Sequence, residues 1–471
     1  MRLFLAACTV AVLTASTILA QSPDPRLKAS YTFNKDGWTY VHLEGTPAEI
    51  GFQHGYLLSA QIADNLQAIE LENTHESGKP WPFFRTVALE QILPHVEPEY
   101  RAELQGIADG VQAKGANIDL LDIVALNAHI EVSDYYLPWL AAKQGKPSPP
   151  ALVAPGRCSA FIATGSATKD GKIVLAHSNW SAYAEGERWT TVFDIVPTHG
   201  NHILMDGSPG LIHSGDDWGV NSAGLMITET TLPMFKGWNP SGIPEFIRAR
   251  KAMQYAGNID QFVALMREGN NGGYANSWLV GDRKTNQIAY LELGLKHTPL
   301  TRKSTGYFVS ANFPVDPALI RDDTPGFDTH DNKSTMNARH IRADQFVQQH
   351  LGQLDTTLAE QFLSDHFDSY EQKIDAARRS LCGHEDVSKD PEPAWDSPPF
   401  SPSGSVTGKV MDATMAEHMS FTGRAGHPCG EDFLAAPFLA AHPEFNWQAS
   451  ILHDMKAGPW STFSTSQHPA N

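Results

Sequence analysis

The stretch Gly156-Arg157-Cys158-Ser159-Ala160-Phe161-Ile162-Ala163-Thr164, followed by Lys169-Asp170-Gly171-Lys172-Ile173-Val174-Leu175-Ala176-His177-Ser178-Asn179-Trp180, decides how the rest of the chain is read. Apolar, β-favouring residues stand on both sides of an Asp-Gly pair, which predicts a hairpin whose first strand begins at a lone cysteine. A cysteine at the first position of a strand keeps its backbone nitrogen outside the preceding ladder. If the Arg157–Cys158 peptide were cut, the new α-amine would lie beside its own thiol. An α-amine titrates near about 7.7–8.0 and a thiol near about 8.5, so this one residue could then supply both base and nucleophile at neutral pH.

The 471 residues are 41% hydrophobic and 19% charged, enough for a large core. Met1-Arg2 and the apolar run Leu3 to Ala20 read as a signal peptide over residues 1–20, so a secreted or periplasmic protein is expected. No later run approaches the length of a membrane span, and no stable membrane association is expected. A net charge of −18 argues against nucleic acid or an anionic membrane as a standing partner.

In an oxidising compartment Cys8 leaves with the leader. Cys382 and Cys429 fall in the same C-terminal region and are expected to form a disulfide, leaving Cys158 as the free thiol. The histidines show no His-x-x-x-His pair with a carboxylate base and there is no Cys-x-x-Cys, so neither metal nor cofactor is expected. The sequence lacks a Gly-x-Ser-x-Gly elbow, which disfavours a serine lipase.

Before the hairpin, residues 37–43 predict a strand and Thr46-Pro47-Ala48-Glu49 a capped helix start, continued by Leu58, Ile62, Leu66 and Ile69 on one face. Further helices are predicted around Leu104–Val111 and from about Leu120 to Ile130. Lys-Gln-Gly-Lys-Pro-Ser-Pro-Pro and Ala-Pro-Gly then make an extended linker up to Arg157. After the hairpin, strands are predicted at Thr190–Val196, His202–Met205, Gly210–Ser214 and Leu225–Thr230. Two helices follow within Pro244–Glu268, then strands at Ser277–Gly281, Ile288–Leu293 and Tyr307–Ala311, then helices from about Ser334 and Thr357. The Pro/Ser/Asp-rich run Cys382–Gly408 reads as a long ordered loop. The expected organisation is a leader (1–20), an N-terminal helical, pro-segment-like part (21–157) and a catalytic part (158–471), the last two integrated in one domain.

The stretch from Cys158 to Trp180 resembles the nucleophile hairpin of N-terminal-nucleophile hydrolases. It is similar to the autoproteolytic acyltransferase and hydrolase family that includes penicillin acyl-coenzyme A acyltransferase, and to the phospholipase B-like proteins. Gly45-Thr46-Pro47-Ala48-Glu49-Ile50-Gly51-Phe52-Gln53-His54-Gly55 resembles the opening of the acyltransferase family, and Pro459-Trp460-Ser461-Thr462-Phe463 a region of the phospholipase B-like relatives. The resemblance implies an α+β fold, a four-layer αββα sandwich, with self-cleavage between Arg157 and Cys158.

For the site, the resemblance implies Cys158 as nucleophile and nominates Asn276, in Tyr274-Ala275-Asn276-Ser277-Trp278-Leu279, as the amide facing the oxyanion or α-amine; Asn312 is a second candidate. Ser334-Thr335-Met336-Asn337-Ala338-Arg339 resembles the family's helix start and puts Arg339 forward as the cation of the α-amine network. His177 joins the site on the phospholipase B-like pattern. The Asp that follows Asn-Trp in the acyltransferases is replaced here by Ser181. The implied function is a cysteine hydrolase cleaving a C–N amide bond through a thioester, with a small-molecule acyl amide or a lipid as substrate. A phospholipase B-like ester hydrolase and a non-catalytic secreted binding protein of the same fold are the alternatives.

Overall fold

A computed structural model describes residues 24–146, 158–393 and 397–469; the expected leader and Arg157 lie outside these residues. Two sheets stack face to face. The larger runs in the order β1 (Tyr31–Lys35), β2 (Trp38–Gly45), β5 (Thr191–Pro197), β6 (Ile203–Gly207), β7 (Gly219–Asn221), β8 (Leu225–Thr231), β9 (Asn276–Asp282), β10 (Gln287–Leu293), β11 (Leu300–Lys303). The smaller runs β12 (Gly306–Ser310), β3 (Ser159–Thr164), β4 (Val174–Ala182), β15 (Ser403–Asp412), β16 (Ser420–Ala425), β17 (Ser461–Ser464). A short ribbon of β13 (Phe367–Asp368) and β14 (Lys373–Ile374) pairs only with itself. Pairing is antiparallel except between β2 and β5.

The period-two alternation of each strand assigns its side chains to layers. Ala160 and Ile162 of β3, Leu175 of β4 and Met411 of β15 meet Leu204, Met226 and Leu279 between the sheets. Phe161, Ala163 and Ala176 point outward to helices Thr335–Gln349 and Thr356–Leu363. The larger sheet's outer face, with Phe193, Ile227 and Val280, is covered by the N-terminal helices and by Glu245–Tyr255 and Ile259–Arg267. The result is the αββα order that the resemblance implies.

The N-terminal helices begin where Thr46 and Glu49 form a capping box ahead of helix Pro47–Leu57. That helix crosses Pro98–Ala113 backbone to backbone: a Cβ on Gly51 would lie 2.0 Å from the Glu103 carbonyl oxygen, and one on Gly106 2.5 Å from that of Ala48. The preceding strands β1 and β2 join the larger sheet through β5, so the N-terminal part contributes strands as well as helices.

Three strand expectations are corrected. Asp170-Gly171 does not form a two-residue hairpin turn: β3 ends at Thr164 and β4 begins at Val174, with a 3-10 turn at Gly165–Ala167 between them. Gly210–Ser214 is a loop, not a strand. Its Gly210 has φ +94°, and polar side chains of the helices occupy its backbone: His54 Nε2 accepts from Gly210 N–H, and Asn127 both donates to the Gly210 carbonyl and accepts from Ile212 N–H. Within the run read as a loop up to Gly408, β15 starts at Ser403 and becomes a central strand between β4 and β16. Its Ser, Gly and Thr residues weaken the apolar alternation because large rings fill the space instead; a Cβ on Gly408 would lie 2.7 Å from the Trp460 ring.

Candidate active site

Cys158 immediately precedes β3 and shares the parity of Ala160 and Ile162, so it sits at the edge of the layer between the sheets, fully buried. Its chain position is held from the downstream side. Arg339 Nη1 donates to the Cys158 carbonyl oxygen at 2.7 Å and to Ser159 Oγ at 3.1 Å, while Nη2 donates to Asn312 Oδ1 at 2.9 Å. Its Nε donates to Thr335 Oγ1 at 3.1 Å, and its Cζ lies 4.4 Å from the Trp180 ring centroid. The guanidinium fork therefore ties the start of a helix to the beginning of β3 and to the segment after β12.

His177 lies on β4, opposite Ala160 of β3 and Lys409 of β15. Ligand atoms of Cys158, His177 and Glu229 lie within 4.8 Å of one another, and all three residues are buried. Both ring nitrogens of His177 are without a hydrogen-bond partner, as are both amide atoms of Asn179 and Glu229 Oε2. Tyr274 Oη donates to the other Glu229 oxygen at 3.2 Å. Burial, aided by the Asp217 and Asp216 charges, raises the Glu229 carboxyl well above the ordinary range. Burial also pushes His177 down to about 3, Lys409 acting the same way. The Cys158 thiol is raised well above its usual value, chiefly by burial and then by Glu229 and Asp216. At neutral pH this centre holds a thiol and a neutral imidazole. An imidazole that protonates near pH 3 is too weak a base to take the thiol proton.

The two candidate amides differ in what they are already doing. Asn312, at φ +59°, accepts from Arg339 and donates through Nδ2 to the Thr231 carbonyl at 2.9 Å. Asn276 stands opposite Thr231 in the β8–β9 register, fully buried, with both amide atoms without a partner. Asn276 thus keeps a donor available and Asn312 is committed to the scaffold. Ser181, at the acyltransferase Asp position, turns its hydroxyl to the Ala182 carbonyl and takes no part in the Arg339 network. Cys382 and Cys429 are unbridged in the structure.

Sequence reasoning did not single out Glu229, or the buried ion cluster beside His177. Lys409 Nζ contacts Asp206 Oδ2 at 2.6 Å and Asp216, while Ser214 Oγ lies within hydrogen-bond distance of both carboxyl groups, at 2.9 and 2.8 Å. The available signal was a lone charge inside a buried strand, Glu229 in β8 and Lys409 in β15. Beyond the far end of β4, a cavity of about 680 Å³ opens beside Ala182, lined by Glu72, Asp134, Glu185, Phe400 and Trp447 among others.

The family model for phospholipase B matches residues 95–463. The chain belongs to the phospholipase B family. Among its relatives, an uncharacterized protein of Archaeoglobus fulgidus is 27% identical over 270 residues, covering 53% of this chain and 42% of that protein. Putative phospholipase B-like 2 of Rattus norvegicus is 28% identical over 204 residues, covering 39% and 34% respectively. The matched regions thus span less than half the length of these two relatives. Among solved structures, a mutant conjugated bile acid hydrolase from Clostridium perfringens aligns at 12% identity and a TM-score of 0.34, over 57% of this chain and 89% of that one.

Proposed function

We propose that this chain is an exported cysteine N-terminal-nucleophile hydrolase that cleaves an acyl-amide or peptide-like C–N bond through a thioester, after self-cleavage at Arg157–Cys158. The observation that carries the reading is the anchoring of Cys158 from its downstream side by Arg339, next to the ring of His177, whose two buried nitrogens have no partner. A residue gripped at its carbonyl stays in place when the peptide bond on its amino side is broken. Unpartnered buried polar atoms cost about 1–3 kcal/mol each, so a protein that merely binds through its surface gains nothing by keeping them around a thiol.

In the proposed processing step the Cys158 thiol attacks the Arg157 carbonyl carbon, the C–N bond breaks and the α-amine takes the proton. Water then hydrolyses the thioester to an Arg157 carboxylate and the free thiol. In turnover the Cys158 α-amine accepts the thiol proton as sulfur attacks the substrate carbonyl, Asn276 donates to the developing oxyanion, and the α-ammonium returns the proton to the departing amine as the C–N bond breaks; water then cleaves the thioester C–S bond, releasing the acyl group as a carboxylic acid and restoring the thiol. The depression of His177 to about 3 supports assigning the base to the α-amine.

The intact-mass spectrum of the isolated protein tests this directly. Two chains are expected, beginning near Gln21 and at Cys158, and Cys158→Ala should leave one uncut, inactive chain. A single uncut chain with full activity removes the α-amine mechanism.

Membership of the phospholipase B family favours a second reading, hydrolysis of a lipid ester by the same thioester chemistry. No helix among the described residues is long and apolar enough to cross a membrane, and the charge of −18 repels anionic lipid surfaces. Comparing kcat/KM on an N-acyl amide and a lysophospholipid with the same acyl chain decides between the readings. A preference of tenfold or more for the ester, about 1.4 kcal/mol in transition-state stabilisation, reverses the ranking.

A further inference from the structure

Four potential metal ligands converge on the outer side of the smaller sheet, away from Cys158 in the chain. His366 follows helix Thr356–Leu363, Cys382 and His384 stand two residues apart ahead of β15, and Cys429 lies in the loop after β16. One ligand atom from each falls within 4.8 Å of the other three. Cys429 Sγ is 3.5 Å and Cys382 Sγ 3.8 Å from the same atom, His384 Nε2. A single imidazole N–H can donate to one of these sulfurs, not to both, and thiols are weak partners for each other. Two sulfurs sharing one nitrogen instead form the edges of a polyhedron around a common centre. A tetrahedron with metal–sulfur bonds of about 2.3 Å and metal–nitrogen bonds of about 2.0–2.1 Å has edges of about 3.3–3.8 Å, the range in which both measured separations fall. His366 Nε2 is buried with no hydrogen-bond partner.

We propose that His366, Cys382, His384 and Cys429 form a structural four-coordinate site for a zinc-class divalent cation. Two thiolates and two neutral imidazoles balance the charge of a divalent ion, and this soft, mixed donor set selects zinc over magnesium or calcium. Binding releases one proton from each thiol, and each histidine donates a nitrogen lone pair. All four positions of the tetrahedron come from the protein, so the metal holds segments together and leaves no place for substrate. Neighbouring bonds already brace the same segments: Cys382 N–H donates to the Asp365 carbonyl, Ser364 Oγ to the Pro428 carbonyl, and Arg342 forks onto the Asp365 carboxylate at 2.8 and 2.6 Å. The nearby His427 is committed elsewhere, its Nδ1 facing the Ser405 carbonyl at 2.5 Å.

The site bears on the catalytic layer through Gly383, between two of the ligands. A Cβ there would lie 1.9 Å from the Trp180 ring, and Trp180 Nε1 donates to the Leu381 carbonyl at 3.3 Å. Because the Trp180 ring also backs Arg339, the metal loop supports the guanidinium that anchors Cys158.

Elemental analysis and native mass spectrometry of the full chain, expressed with zinc present and without chelator, test the proposal. One zinc per chain is expected, retained in Cys158→Ala and lost in Cys429→Ser and His384→Ala. Should those two variants fail to fold, cobalt(II) added to chelator-stripped wild type supplies the second readout: thiolate-to-cobalt charge-transfer absorption, which His366→Gln should weaken or shift. A metal-free chain carrying a Cys382–Cys429 disulfide, lighter by two hydrogens, overturns the proposal, as does full zinc retention in both Cys429→Ser and His384→Ala. The Cys158→Ala arm keeps the outcome independent of the hydrolase reading.

Discussion

Arg339 and Cys158 are 181 residues apart in the chain, yet the Arg339 guanidinium holds the Cys158 carbonyl oxygen at 2.7 Å in a fully buried setting. The same cation meets Ser159 and Asn312, so it fixes the backbone at Cys158 through its carbonyl rather than through its thiol.

Arg339→Lys keeps the charge and loses the fork. Losing one charged hydrogen bond is worth about 1.5–3 kcal/mol, so self-cleavage and kcat should each fall roughly ten- to hundredfold. Rates of chain scission followed by denaturing electrophoresis, beside steady-state kinetics, check this; an unchanged scission rate would sink the anchoring role.

Asn276 and Asn312 should separate cleanly. Asn276→Ala removes an amide that has no partner in the resting protein, so its melting temperature should hold or rise while kcat falls by about 10²–10³. Asn312→Ala strips a partner from Arg339 and from the Thr231 carbonyl, and should lower the melting temperature instead. Equal thermal losses in the two variants would contradict this division.

Acid should destabilise the fold through its buried neutral histidines. Burial pushes His54 down to about 3 from an ordinary 6.5, and its Nε2 accepts a hydrogen bond from Gly210 N–H, which the protonated ring cannot do. The unfolded chain therefore binds more protons than the folded one from about pH 6.5 downward, and stability is lost progressively until the folded histidine also titrates near pH 3. His54 alone contributes up to about 1.4 kcal/mol per pH unit in that window. His54→Gln should flatten the acid limb of a denaturation-midpoint against pH curve; an identical slope would show that other groups set it.

Lys409 sits between two buried carboxylates, and removing it leaves both without their cation. Lys409→Met should cost about 3–5 kcal/mol in urea unfolding, and adding Asp206→Asn should recover part of the loss. A Lys409→Met midpoint equal to wild type would mean that the carboxylates share a proton unaided.

The sequence by itself determined the hairpin that starts at Cys158, the strand and capped helix that open the N-terminal part, and the residue types of the candidate site. These are local matters: period-two alternation around Cys158 and His177 and a Thr-Pro-x-Glu cap leave their mark within a few residues. β15 was illegible because its small residues draw their burial from Trp460 and from the neighbouring strands, not from their own hydrophobicity. Which asparagine keeps a donor free is decided by what Arg339 and Thr231 reach, and both lie far from either amide in sequence. Glu229 beside Cys158 and Lys409 opposite His177 are products of strand order and register, fixed when two sheets close on one another. The cysteine pair carries the same lesson: counting leaves Cys382 and Cys429 as partners for each other, whereas folding sets two histidines at the same point, because proximity in three dimensions depends on packing that spacing does not encode.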